Sequence, residues 1–158
     1  MNPLPISLTK AEEAMKVALT VAVEAGSRGD VPVGCVILNP EGIVALGGNR
    51  REEDKDPTAH AEILALSEAA SKLGRWHLED CVVVVTLEPC PMCTGALINA
   101  RVGGLVFGAF DDKAGCCGSL YHLPQDGRFN HNFPVVGGVQ AGECRALLVD
   151  FFSKRRKA

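Results

Sequence analysis

The sequence predicts an α/β domain in three layers, α/β/α, with helices on both faces of one sheet. Three observations predict it. Helix-like and strand-like patterns alternate along the chain with short connections between them. Val82-Val83-Val84-Val85-Thr86-Leu87 reads as a strand covered on both faces, as the centre of such a sheet must be. Near the end, Cys144, Leu147, Leu148, Phe151 and Phe152 fall at i, i+3, i+4, i+7 and i+8, the stripe of an amphipathic helix. A length of 158 residues fits one domain, residues 1–158, large enough to bury a core without disulfides.

Taken in order, Thr9-Lys10-Ala11-Glu12 has the form of a capping box. The helix it opens carries Ala14, Met15, Ala18, Leu19 and Ala22 on one face and stops near Gly26. An Arg28-Gly29-Asp30 loop leads to Val33–Leu38, short and rich in β-branched residues. Asn39-Pro40-Glu41-Gly42 turns the chain, and Ile43–Gly47 returns as the second arm of a hairpin. Asn49–Pro57 is polar and reads as a surface loop. Thr58 is placed to cap a helix from Ala59 to Leu73. After the strand at Val82, a short helix is expected from Met92 to Ala100, then a strand at Leu105–Ala109. A long Gly-, Cys- and Asp-rich loop runs from Asp111 to His131, and Pro134–Gly138 is a weak last strand.

Composition narrows the function classes. Hydrophobic residues make up 47% of the chain and aromatic ones only 5%, which describes an aliphatic core and excludes a disordered chain. The formal charge of -3 offers no general attraction to nucleic acid, so such contacts must come from local patches. Met1–Leu8 lacks a signal-peptide pattern, and no apolar run reaches the length of a membrane span. Seven cysteines, an odd number, fit free thiols in a reducing cytoplasm better than a secreted disulfide framework.

The chemistry concentrates in two short stretches, His60-Ala61-Glu62 and Pro89-Cys90-Pro91-Met92-Cys93. Cys90 and Cys93 lie three apart at a helix start, on one side of one turn, where free backbone N–H groups favour thiolates. Taken alone, C-x-x-C in an α/β protein fits a redox pair as well as a metal site. His60, at a second helix start, adds an imidazole and completes a three-donor set suited to Zn2+, with a position left for water. Glu62, two residues on, is placed to manage that water's protons as base and then as acid. Glu88 competes for that role, but its place before Pro89 favours a supporting one. H-x-E with P-C-x-x-C resembles the signature of zinc nucleobase deaminases.

The resemblance extends beyond the zinc motifs. Asp56-Pro57-Thr58-Ala59-His60-Ala61-Glu62-Ile63 and Thr86–Cys93 resemble the bacterial tRNA-specific adenosine deaminases of the cytidine deaminase-like superfamily. So do Val31-Pro32-Val33-Gly34, Asn49-Arg50, Phe107-Gly108-Ala109, Gly118-Ser119-Leu120, Asn130-His131 and Asp150-Phe151-Phe152. The resemblance implies a cytidine deaminase-like fold with a five-stranded mixed sheet, a homodimer, and conversion of the wobble adenosine of an arginine tRNA to inosine. It also implies that Asn49 binds the flipped base or its sugar, and that Val33 and Ala59 line the base pocket. Asp111, Lys113 and Asn130 match nucleotide-contacting positions; Phe152, Arg155 and Arg156 match the helix that meets the anticodon stem-loop. Aromatic faces and cations are what splayed bases and phosphates require.

Bland readings stand beside these: a turn asparagine at Asn49, a solvated loop pair at Asp111 and Lys113, a core Phe152, a solvated basic end. The chain also departs from the family pattern, with Arg51 where proline often follows Asn-Arg and Phe110 where a polar residue is usual. Cys116-Cys117 reads as a pair of small buried thiols. Two other functions share parts of the pattern, a deaminase of a free base or nucleotide and a non-catalytic RNA-binding subunit. The second generally lacks the glutamate that is present here as Glu62.

Overall fold

The computed structural model describes residues 3–157, without the side chain of residue 157. Five strands form one sheet in the order β2-β1-β3-β4-β5. β1 (Gly34–Asn39) pairs antiparallel with β2 (Gly42–Gly48) and with β3 (Val82–Leu87). β4 (Gly104–Ala109) runs parallel to β3, and β5 (Val135–Val136) parallel to β4. The expected three-layer arrangement with a mixed sheet is therefore present.

Strand alternation divides the core in two. Val36, Leu38, Val82, Val84 and Val106 pack beneath α1 (Leu8–Ser27) and α5 (Ala141–Lys157). Their neighbours Cys35, Ile37, Val83, Val85, Leu105 and Phe107 face α3 (Ala61–Leu73) and α4 (Pro91–Asn99). Both faces of the central strand are covered, which is why its sequence is almost uniformly valine.

The helices sit close because the strands facing them carry glycine. A Cβ on Gly34 would collide with the carbonyl oxygen of Ala18 in α1, and one on Gly47 would collide with that of Ala61 in α3. The alanine face of α1 is the other half of the fit: Ala11, Ala14, Ala18, Ala22 and Ala25 are all buried there with Met15. The position of α3 matters most, since its first turn carries the functional residues.

Several boundaries differ from those the sequence predicts. Ser7, not Thr9, caps α1: it is extended and its side chain accepts from the Lys10 N–H at 3.2 Å, which leaves Thr9 inside the first turn. The third helical position is Lys10, so no capping box forms. The helix continues through Gly26 to Ser27 and releases the chain at Gly29, whose φ is 87°. The expected surface loop at Asn49–Pro57 holds a helical turn, α2 (Arg51–Asp54), and its first residue, Asn49, is buried. The long loop after β4 contains a single 3₁₀ turn, Leu123–Gln125, and a bridge between Cys117 and His122. Among the described residues, no helix is long and apolar enough to cross a membrane.

Candidate active site

Two helix N-termini meet at the carboxyl end of β3. His60 is the N-cap of α3 and Cys90 the N-cap of α4, both in extended backbone. This corrects the expected start at Ala59. The Thr58 hydroxyl does not cap α3; it donates to Asp56 Oδ1 at 2.8 Å. His60 therefore stands just outside the helix, in the extended backbone that leads into it, while Glu62 stands inside the first turn. Pro91 occupies the first helical position of α4, where its missing N–H costs nothing and its fixed φ suits the turn.

Nδ1 of His60 lies 3.6 Å from Sγ of Cys90 and 3.5 Å from Sγ of Cys93. A tetrahedral centre with bonds of ~2.1 Å to nitrogen and ~2.3 Å to sulfur spaces such donors roughly 3.6 Å apart. The three donor atoms lie within 4.8 Å of one another, the distance and chemistry of a zinc site with three protein ligands. Among the protein groups alone, the Cys93 hydrogen bond and that of His60 pull Cys90 down to about 4, against the effect of burial. Cys93 moves the other way, pushed up by its hydrogen bond to Cys90 and by burial, while the Cys90 partnership raises His60.

Glu62 occupies the second position of α3, buried at 4% exposure, and burial pushes its carboxyl group up to about 7. It still opens onto a cleft of about 900 Å³ together with His60 and Cys90. A carboxyl group whose pKa sits near neutrality can both take and give a proton there.

Asn49 is held from both sides. Its Oδ1 accepts from the Ala61 N–H at 2.8 Å, capping the start of α3 in place of Thr58, and its own N–H donates to the Val33 carbonyl at 3.3 Å. Among the described residues its Nδ2 has no partner, and the residue lines the cleft.

Glu88 is buried too, but does different work. Its Oε1 accepts from the Asp111 N–H at 3.0 Å and the Ser119 hydroxyl at 2.5 Å; its Oε2 accepts from the N–H groups of Cys117 at 3.1 Å and Ser119 at 2.9 Å. Burial alone would raise its pKa; these hydrogen bonds outweigh it and hold the carboxylate below its ordinary value. Glu88 thus ties down the loop after β4, which is the far wall of the cleft. Gly115 in that loop must lack a side chain, since a Cβ there would collide with the Glu88 carboxylate.

The cleft also gathers Val33, Asp111, Lys113, Phe152, Arg155 and Arg156, as the sequence reading expects. Ala59 is buried at 1% exposure and does not line the cleft, and Asn130 is exposed outside it. Arg155 stacks its guanidinium 4.6 Å from the Phe151 ring centroid and donates to the Gly29 carbonyl, which fastens α5 beside the cleft. Cys116 and Cys117 are buried and stand apart from the metal donors, as expected. Sequence reasoning missed Val31 and Leu148 as cleft walls, and gave Arg51 no role beyond a departure from pattern. Leu148 was visible only as part of an apolar stripe, which does not separate core from cleft.

Residues 8–109 match the family model described as the cytidine and deoxycytidylate deaminase zinc-binding region. The tRNA-specific adenosine deaminase of Bacillus subtilis (strain 168) is 47% identical over 95% of this chain and 93% of its own. Among solved structures, one from a study of A-to-I editing by tRNA:A34 deaminases at the wobble position of transfer RNA superposes with a TM-score of 0.82 at 37% identity, covering 85% of this chain and 97% of that one. A guanine deaminase from Bacillus subtilis gives a TM-score of 0.59 at 40% identity over 61% of this chain and 62% of its own. The match runs through both zinc motifs and nearly end to end: the chain belongs to the zinc-dependent cytidine and deoxycytidylate deaminase family, on the branch of the tRNA-specific adenosine deaminases.

Proposed function

We propose that residues 1–158 act as one deaminase domain that hydrolyses the wobble adenosine of a tRNA to inosine, with release of ammonia. The observation that carries the reading is the buried Glu62 carboxyl opening onto the same cleft as His60 and Cys90, in a chain related end to end to tRNA-specific adenosine deaminases.

His60, Cys90 and Cys93 would hold the zinc ion. When bound, zinc supplies acidity, bringing the pKa of a bound water from about 15.7 towards about 7. The residues of the chain do the rest. Asn49, fixed through its Oδ1 on Ala61, turns Nδ2 to the base or its ribose. Glu62 takes a proton from the attacking water and delivers it to the ring nitrogen beside the amine-bearing carbon. It then takes the second proton from the added hydroxyl and gives it to the departing amine, so that the C–N bond breaks, ammonia leaves and the carbonyl of inosine forms; one carboxylate serves as base and as acid. Val33 lines the pocket, and the buried Ala59 stands next to the ligand His60 in the chain. Phe152 and Arg156 offer an aromatic face and a cation to the anticodon loop, with Asp111 and Lys113 on the opposite loop and Asn130 further along the strand's path. The arginine tRNA is assigned from the family resemblance.

The metal donors also support a reading of the compartment. Cys90 and Cys93 hold zinc only as reduced thiols, and the seven cysteines are free. We assign it to a reducing compartment, the cytoplasm; fractionation that recovers it outside would overturn that.

The test incubates purified protein with an arginine-tRNA anticodon stem-loop carrying a wobble adenosine, beside free adenosine, cytidine and guanine. Inosine in the RNA alone is expected. Ammonia from free guanine would instead make this a free-base deaminase like the guanine deaminase it partly resembles. Glu62→Ala is expected to keep zinc and fold while activity falls by about 10² to 10⁴ or more, the share of general acid–base catalysis. Full activity in that variant would sink the proton-carrier role. The presence of the buried Glu62 also weighs against a non-catalytic RNA-binding subunit.

A further inference from the structure

Most arginines around the cleft are already engaged. Arg50 donates to Asp54 at 3.2 and 3.3 Å and lies 3.3 Å from Glu53. Arg28 is 3.2 Å from Glu53, and Arg155 is committed to Gly29 and Phe151. Arg51 differs. Its Nε is buried and, among the described residues, has no hydrogen-bond partner. The nearest acid, Asp30, lies 3.6 Å away, too far for a hydrogen bond. Asp30 is itself buried at 2% exposure, and both its oxygens are occupied, accepting from the N–H groups of Val31 at 2.9 Å and Glu52 at 3.0 Å. Asp30 therefore holds the guanidinium in an ion pair at 3.6 Å without a hydrogen bond to Nε.

Buried donors in folded proteins nearly always have partners. Among the described residues the buried Nε of Arg51 has only its ion pair with Asp30, while the rest of the side chain, 38% exposed overall, lines the cleft. It stands two residues after Asn49, at most about 7 Å along the chain from the residue assigned to the base or ribose. A planar fork of donors with fixed positive charge matches a phosphate better than any neutral group of a nucleotide. A nucleotide with its base in the pocket leaves its phosphates at the rim, where Arg51 sits. We propose that Arg51 is a phosphate-binding residue that grips the RNA backbone beside the nucleotide in the pocket. This rests on the RNA reading above.

The experiment measures binding of the wobble-adenosine stem-loop between about 50 and 200 mM salt to wild type, Arg51→Ala and Arg51→Lys, using loops with varied bases flanking the adenosine. In Arg51→Ala the salt slope is expected to fall by about 0.7 and affinity by about tenfold, equally across flanking sequences. Arg51→Lys keeps the charge and is expected to keep the slope. An unchanged slope in a folded Arg51→Ala protein would overturn the phosphate contact and leave Arg51 as a partner of Asp30 alone. A loss confined to one flanking base would overturn it in favour of base reading. Wild-type protein that deaminates the loop but shows either result loses only this inference; wild-type protein that fails to deaminate the loop loses the RNA reading itself.

Discussion

At the scale of single residues, three buried polar side chains set the cleft, and each is explained by what it binds. Asn49 spends one amide atom on the Ala61 N–H and keeps the other for the cleft. Glu62 has burial that outweighs the charge of nearby His60 and the hydrogen bonds it receives, and its carboxyl is pushed upward as a result. Glu88 has burial with a full set of donors and is held downward instead. The supporting role that the sequence favours for Glu88, and the proton role it favours for Glu62, thus correspond to opposite surroundings. Glu88→Gln replaces one acceptor with a donor against N–H groups, leaving buried donors unmet. It is expected to destabilise the fold by about 1–3 kcal/mol and to speed amide exchange at residues 111–119. Denaturant titration with hydrogen exchange checks this; a neutral variant would mean that the loop holds itself. The roles of Glu62 and Glu88 were legible as candidates, since H-x-E and the residue before Pro-Cys were both visible. The donors that fix Glu88 were not, because Asp111, Cys117 and Ser119 approach only after the loop folds back.

At the scale of elements, the helix N-termini and the last helix carry the functional argument. The sequence places both zinc motifs at helix starts, and the structure puts His60 and Cys90 at the N-caps with Cys93 in the first turn of α4. An extended cap residue can aim its side chain across the gap between two helices, which a residue within a helical turn cannot do as freely. The cap of α3 escapes sequence reading because Thr58 is the better local capper, while the pair that does the capping, Asn49 with Ala61, is remote in sequence. On α5, Lys154 pairs with Asp150 at 3.1 Å and Arg155 clasps Gly29, so the basic end serves the fold as well as any RNA. Part of that segment, residue 158 and the side chain of Lys157, lies outside the described residues. Deleting residues 154–158 is expected to weaken stem-loop binding and to lower its salt slope, by about 0.7 for each phosphate that the segment neutralises. An unchanged slope in a titration of binding against salt would mark the segment as a solvated end.

At the scale of the whole molecule, the order β2-β1-β3-β4-β5 puts the antiparallel hairpin on one side of the central strand and the parallel pair on the other. The homodimer implied by the family resemblance belongs to this scale: two copies per particle are expected in sedimentation equilibrium, and a single copy throughout the working concentration range would exclude it. The sequence by itself determined the fold class, the strands and the zinc donors. Those depend on periodicity and on spacings of a few residues, which are local properties of the chain. It also carried the family, because the motifs recur in order over nearly the full length. Only the tertiary structure decided that Glu88 fastens a wall while Glu62 faces the cleft, and that Asn49 is a buried cap. It likewise set Arg51 partly exposed at the rim, with its Nε buried and unmet by any hydrogen bond among the described residues. Each of those depends on which groups arrive from segments far apart in sequence, and burial and hydrogen bonding between such segments are settled only when the layers close.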